Sequence, residues 1–253
     1  MLYQYLIFAI IGLTQVLSGS VQIPKLGSSN ICSENHSALK PAPLEESWAI
    51  EWWMPRHEEK LQEEGREEAD ILLVGDSITH GWETTGKDVW NRYFGDFNTY
   101  NIGYSGDRTE NVLWRFQHGE IDGINPKVAM LMIGTNNTGH RQDDPDCTAK
   151  GVKLIVDTMV EKLPDTQILL LAIFPRGASP DDELRVLNEQ INQRIERLSD
   201  YERVSFLNIN HIFLNDEGEL PEEIMPDFLH PHEAGYELWA QEIYPHLIGL
   251  LEK

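Results

Sequence analysis

Two stretches constrain the fold of this chain more than any others: Val128-Ala-Met-Leu-Met-Ile133 and Ile168-Leu-Leu-Leu-Ala-Ile173. Both are apolar at every position, whereas a strand with one wet face alternates. Continuous apolar runs of this length read as strands buried on both faces, and such strands belong to parallel sheets covered by helices. Runs at Ile71–Val74, Thr99–Ile102 and Val204–Ile209 read as further strands. Between and after them lie helical patterns at about Val89–Tyr93, Glu110–Phe116, Thr148–Leu163, Asp182–Leu198 and Pro231–Leu251. Right-handed crossovers then predict an α/β protein, a three-layer α/β/α sandwich around a mostly parallel sheet of about five strands.

A chain of 253 residues has room for one catalytic-size domain, expected over 44–253. That domain opens with a predicted helix over Leu44–Ala69, which carries Trp48, Ile50, Trp53, Met54 and Leu61 near one face and acids elsewhere. The Trp52-Trp53 pair reads as core packing ahead of a substrate mouth. Residues 21–43, rich in Ser, Pro, Asn and Lys, read as a linker or loosely docked arm. The apolar start, residues 1–20, ends in Ser18-Gly19-Ser20 and reads as a secretory signal peptide, so the protein is expected to be secreted or exported. The other reading, an uncleaved anchor, meets a run that is short for a membrane span. Cys32 and Cys147 either pair in an oxidising compartment or are unrelated thiols. A formal net charge of −22 argues against nucleic acid or an anionic membrane as partner, because the field of the protein repels phosphates.

In a parallel α/β sheet, functional residues lie just past the carboxyl ends of the strands. Five segments at or near such positions stand out: Gly75-Asp76-Ser77, Gly103-Tyr-Ser-Gly106-Asp107, Gly134-Thr135-Asn136-Asn137, Pro175-Arg176-Gly177 and, before the last helix, Asp227-Phe-Leu-His230. A spacing of three lets Asp227 reach one imidazole nitrogen of His230 and leaves the other for a serine. The backbone N–H groups of Ser77 and Gly106 and the Asn136 side chain are the candidate donors to an oxyanion. Asp107, His140, Arg141 and Arg176 read either as rim residues for substrate hydroxyls or carboxylates or as solvated loop charges. Ser105 lies outside any Gly-x-Ser-x-Gly elbow, and His230-x-His232 with His140 and His211 lacks metal-ligand spacing, so neither a metal nor a cofactor is expected. Asn35-His36-Ser37 and Asn136-Asn137-Thr138 are glycosylation sequons, and Asn136 is expected to be buried and unmodified.

Gly75-Asp76-Ser77, Gly106, Gly134-x-Asn136 and Asp227-x-x-His230, in this order, resemble the four blocks of the SGNH (GDSL-type) hydrolases, whose sheet is flavodoxin-like. The run from Gly103 through Arg115, with Gly134-Thr-Asn-Asn137 and Pro175-Arg176-Gly177, is similar to the catalytic subunits of intracellular platelet-activating-factor acetylhydrolase. The resemblance implies Ser77 as nucleophile, His230 as general base and acid, Asp227 as orienting carboxylate, and Ser77, Gly106 and Asn136 as the oxyanion hole. It also implies a small acyl pocket closed by Ile78, Thr135 and Leu229, and a dimer, since the similar subunits pair. The expected activity is a serine esterase that removes short acyl groups, acetyl foremost, from a small molecule or carbohydrate. A lipid-directed acylhydrolase or lysophospholipase is the alternative within enzymes, and a non-catalytic carbohydrate-binding module is the alternative outside them.

Overall fold

The computed structural model describes residues 32–253, so the stretch read as a signal peptide and the first part of the expected linker lie outside the described residues. Five strands form one parallel sheet: β1 (Ile71–Gly75), β2 (Thr99–Gly103), β3 (Val128–Met132), β4 (Gln167–Leu171) and β5 (Val204–Leu207). Their order is β2-β1-β3-β4-β5, with Gly75 in register with Gly103 on one side and with Met132 on the other. Three strand ends therefore meet at one edge.

The sheet feeds two cores. Leu72, Val74, Ala129, Leu131, Ile168 and Leu170 pack on one face, together with Trp53, Val112, Ile155 and Ile191. These come from the helices α1 (Trp53–Leu61), α4 (Thr109–Gln117), α6 (Pro145–Lys162) and α7 (Glu183–Ile195). Ile71, Leu73, Val128, Met130, Leu169 and Leu171 point the other way, against α3 (Lys87–Phe94) and α8 (Glu233–Leu251). Burial of both side-chain sets explains why the strands read as unbroken apolar runs. Two short helices, α2 (Ser77–His80) and α5 (Thr135–Arg141), follow β1 and β3. No helix among the described residues is long and apolar enough to cross a membrane.

Two expectations change. The helix predicted over Leu44–Ala69 shrinks to Trp53–Leu61, with turns before it and a 3₁₀ turn, Arg66–Glu68, after it. Pro55 lacks the N–H that an earlier start would require, and at the first turn that donor has no helical partner in any case. Gly65, at φ +81° in the left-handed region, opens the 3₁₀ turn. The arm, over its described part, is docked rather than loose. Cys32 is disulfide-bonded to Cys147 with Cα atoms 5.0 Å apart. The Thr109 hydroxyl donates to the Ala38 carbonyl at 2.8 Å, and the Asn111 amide donates to the Ala42 carbonyl at 3.0 Å.

Candidate active site

β1 delivers Ser77. The strand stops at Gly75, where a Cβ would lie 2.1 Å from Thr79 Oγ1 and 2.6 Å from the Met132 carbonyl oxygen, so only glycine fits this turn. Asp76 caps α2 by accepting the Ile78 N–H at 3.0 Å, and Ser77 is the first residue of that helix. From α8, Tyr236 donates its hydroxyl to the Ile78 carbonyl at 2.8 Å and ties the turn to the far end of the chain. Asp76 itself is 1% exposed, and burial pushes its carboxyl pKa up to about 7.

His230 arrives from the opposite end of the sequence. Its Nε2 lies 2.9 Å from Ser77 Oγ, and its Nδ1 lies 2.7 Å from Asp227 Oδ2. The other carboxylate oxygen accepts the backbone N–H groups of Leu229 at 3.1 Å and His230 at 2.7 Å, which folds the turn onto itself. Burial raises the Asp227 pKa, but hydrogen bonds from the His230 ring and backbone, with the ring's charge, overcome it and hold the carboxyl below its ordinary value. A carboxylate on Nδ1–H leaves Nε2 free to accept the serine proton. Phe228, between them, adopts φ +54°, a conformation that side chains other than glycine rarely take. Its carbonyl accepts the Gly177 N–H at 2.9 Å, which joins the Pro175-Arg176-Gly177 loop to the histidine turn.

Three donors stand at the turns that follow β1, β2 and β3. Neither the Ser77 nor the Gly106 backbone N–H has a hydrogen-bond partner among the described residues. Asn136 is 6% exposed and spends one amide hydrogen on the Asp107 carbonyl at 3.0 Å, leaving its second hydrogen. The sequon at Asn136 is thus buried, whereas Asn35 is exposed. Two free backbone donors and one side-chain donor suit a charge that develops on an ester carbonyl oxygen.

Asp107 is neither a rim residue nor a solvated charge. It is wholly buried and accepts from Arg115 Nε at 3.0 Å, Arg115 Nη2 at 2.8 Å and Trp53 Nε1 at 2.6 Å. Arg115 reaches on to buried Glu120, which also accepts the Tyr104 hydroxyl at 2.5 Å and lies 3.4 Å from His57 Nδ1. Burial raises the Asp107 pKa to about 6 against the pull of Arg115, and Arg115 with His57 and Tyr104 holds Glu120 below its ordinary value despite burial. α1 is thereby pinned beneath the Gly106 loop by a dry polar network. Sequence reasoning missed this because Trp53 and His57 carry no mark of what they bond.

The remaining positions sort by contact. Arg141 is committed to Glu110 at 2.5 Å and Asp143 at 2.6 Å. Arg176 donates to the Thr135 carbonyl at 2.8 Å and hydroxyl at 3.1 Å, and no carboxylate among the described residues ion-pairs with it. Ile78 and Leu229 belong to one apolar cluster, Ile78 buried and Leu229 half-buried. Thr135 is buried, its hydroxyl held by Arg176 and Asn188. His80 Nδ1 lies 3.2 Å from Ser105 Oγ, and burial with nearby Arg56 lowers its pKa to about 4. Trp48, expected on a helix face, instead stands exposed over Gly106, where a Cβ would lie 2.1 Å from the indole Cη2.

Residues 73–238 match the GDSL-like lipase/acylhydrolase family. The chain is 30% identical over 219 residues to the platelet-activating factor acetylhydrolase IB subunit alpha1 of Homo sapiens, covering 86% of this chain and 92% of that one. It is 30% identical over 221 residues to the alpha2 subunit of Rattus norvegicus, covering 87% and 94%. Among solved structures, a putative acylhydrolase from Bacteroides fragilis superposes with a TM-score of 0.65 at 19% identity, covering 82% of this chain and all of that one.

Proposed function

This chain belongs to the GDSL-like lipase/acylhydrolase family and is a carboxylic ester hydrolase, and from that premise we propose that it is a serine esterase for short acyl groups, acetyl foremost, carried on a small molecule or carbohydrate. The unbroken hydrogen-bond path from Ser77 Oγ through His230 to Asp227 carries the reading. In the proposed reaction, Ser77 Oγ attacks the ester carbonyl carbon while His230 Nε2 takes its proton. Asp227 holds the tautomer and balances the imidazolium. The negative charge moves onto the carbonyl oxygen, where the Ser77 and Gly106 N–H groups and the Asn136 amide receive it. Collapse breaks the bond to the alcohol oxygen, which leaves with the proton from His230. Water, deprotonated by His230, then attacks the acyl-enzyme, releasing the acid and restoring Ser77.

The short-acyl preference draws support from Ile78, a buried β-branched side chain directly after Ser77. The disulfide between Cys32 and Cys147 supports export to an oxidising compartment. Hydrolysis of p-nitrophenyl acetate and octanoate by the wild type and by Ser77→Ala tests the proposal. The acetate is expected to be the better substrate, and both rates are expected to fall by at least ~10³-fold in the variant. Turnover that survives in Ser77→Ala removes the nucleophile assignment, and a preference for octanoate removes the small pocket.

A further inference from the structure

Trp48 leaves 51% of its surface open, although an indole is a large apolar body that gains by burial. It is nonetheless fixed. Leu44 and Ala49 on either side are buried, and neighbouring Glu46 pairs with Arg108 at 2.7 Å. The Trp48 carbonyl accepts the Trp52 Nε1–H at 3.1 Å, and the two indoles stack at 29° with centroids 6.4 Å apart. One edge of the Trp48 ring fills the space that a side chain at Gly106 would occupy. The exposed face therefore borders the loop that offers an oxyanion donor. Ile78 and Thr135 are buried, so on the esterase reading the acyl group turns inward and the alcohol half is left on the exposed side, where Trp48 stands beside Gly106.

His140 completes this outer wall. Its ring meets Trp48 edge-on, with centroids 6.1 Å apart. Arg108 Nη1 faces His140 Nδ1 at 3.2 Å and has only protons to offer, so Nδ1 accepts and the ring proton sits on Nε2. Burial and Arg108 lower the pKa of the ring and keep it neutral. The Nε2–H has no hydrogen-bond partner among the described residues. Arg176, without an ion-pair partner, adds further donors on the side of Gly139.

We propose that Trp48 is the platform on which the alcohol half of the substrate stacks, and that this half is a pyranose ring. The inference deepens the esterase reading and rests on it. A pyranose presents a flat C–H face to the indole and a rim of hydroxyls to groups such as His140 Nε2–H and the Glu46 carboxylate. A long hydrocarbon needs an apolar channel, whereas the ion-paired Glu46 and Arg108 and the polar edge of His140 flank this ring.

The test compares kcat/KM on a mono-acetylated methyl β-xylopyranoside with kcat/KM on ethyl acetate, whose alcohol has no ring. The wild type is expected to favour the sugar ester. In Trp48→Ala that selectivity ratio is expected to fall by roughly tenfold, chiefly through KM, and Trp48→Phe is expected to restore most of it. Equal losses on both esters, through kcat, mean that Trp48 only props the Gly106 loop and overturn the platform. So does a wild type that cleaves ethyl acetate but not the sugar ester, or that prefers a long-chain alkyl acetate, with the esterase reading left standing. If neither ester is cleaved and a fluorophosphonate leaves Ser77 unlabelled, the esterase reading fails and takes the platform with it.

Discussion

Asp76 and Asp227 are both near Ser77, yet their surroundings drive them apart. Asp227 is exposed, bonded to His230 and held below its ordinary pKa; Asp76 is buried, opposed only by one backbone N–H and distant charges, and sits at about 7. Asp76, beside Ser77, is therefore the poorer candidate to orient His230. Its titration also marks stability. An unfolded Asp releases its proton near pH 4, while folded Asp76 keeps it to about 7. The native state thus binds more protons across that window, and the Asp76 contribution falls as pH rises from about 4 to about 7. His80 acts in the opposite sense: its folded pKa of about 4 lies below its unfolded value near 6.5, so its contribution is lost as pH falls through that range. Asp76→Asn keeps an oxygen to cap Ile78 and removes only the first effect. Urea melts at pH 4.5 and pH 8 are expected to show the variant gaining on the wild type at the higher pH, by on the order of 1–3 kcal/mol. Parallel profiles would mean that Asp76 is ionised throughout.

At the scale of elements, α1 and α4 meet through charge as well as apolar surface. Arg115 of α4 stands between two buried carboxylates, Asp107 on the Gly106 loop and Glu120 beneath α1. Removing the cation leaves both uncompensated, so Arg115→Met is expected to lower stability by about 3–5 kcal/mol in denaturant melts. A loss under about 1 kcal/mol would show that water relaxes the site. The strands and the long helices were legible in sequence, because apolar runs bounded by glycine and 3.6-residue periods leave little choice. α5 was not, since Thr135-Asn-Asn-Thr-Gly-His-Arg141 has no apolar stripe. The length of α1 was overestimated because the apolar spacing continued through Trp48 and Ile50 while Pro55 limited the helix. Ser77, Asp227 and His230 were legible as a pattern of loops. Asp107 was misread because a buried ion pair looks the same in sequence as a solvated charge, and its partner lies eight residues away.

The whole molecule is an acidic sheet protein tied at one place by a covalent bond. Cys32 and Cys147 are separated by 115 residues, so the bond restricts a long loop in the unfolded chain. On a chain-entropy account, Cys147→Ser is expected to cost about 4–5 kcal/mol, read as a fall in the urea midpoint that reductant reproduces in the wild type. If the midpoint is insensitive to reductant, the arm contributes its stability through packing alone.

The same closed loop divides the proposed catalytic groups unequally. Ser77, Gly106 and Asn136 lie inside it, and Asp227 and His230 lie beyond it. A single peptide cut anywhere from 33 to 146 leaves two pieces covalently tethered, with Ser77 and His230 still on one molecule. A cut between 148 and 226 leaves them on separate polypeptides, joined only by noncovalent packing such as that of α8 against the sheet. Proteolytic damage in the first region is survivable by construction, and damage in the second is survivable only for as long as the sheet stays closed.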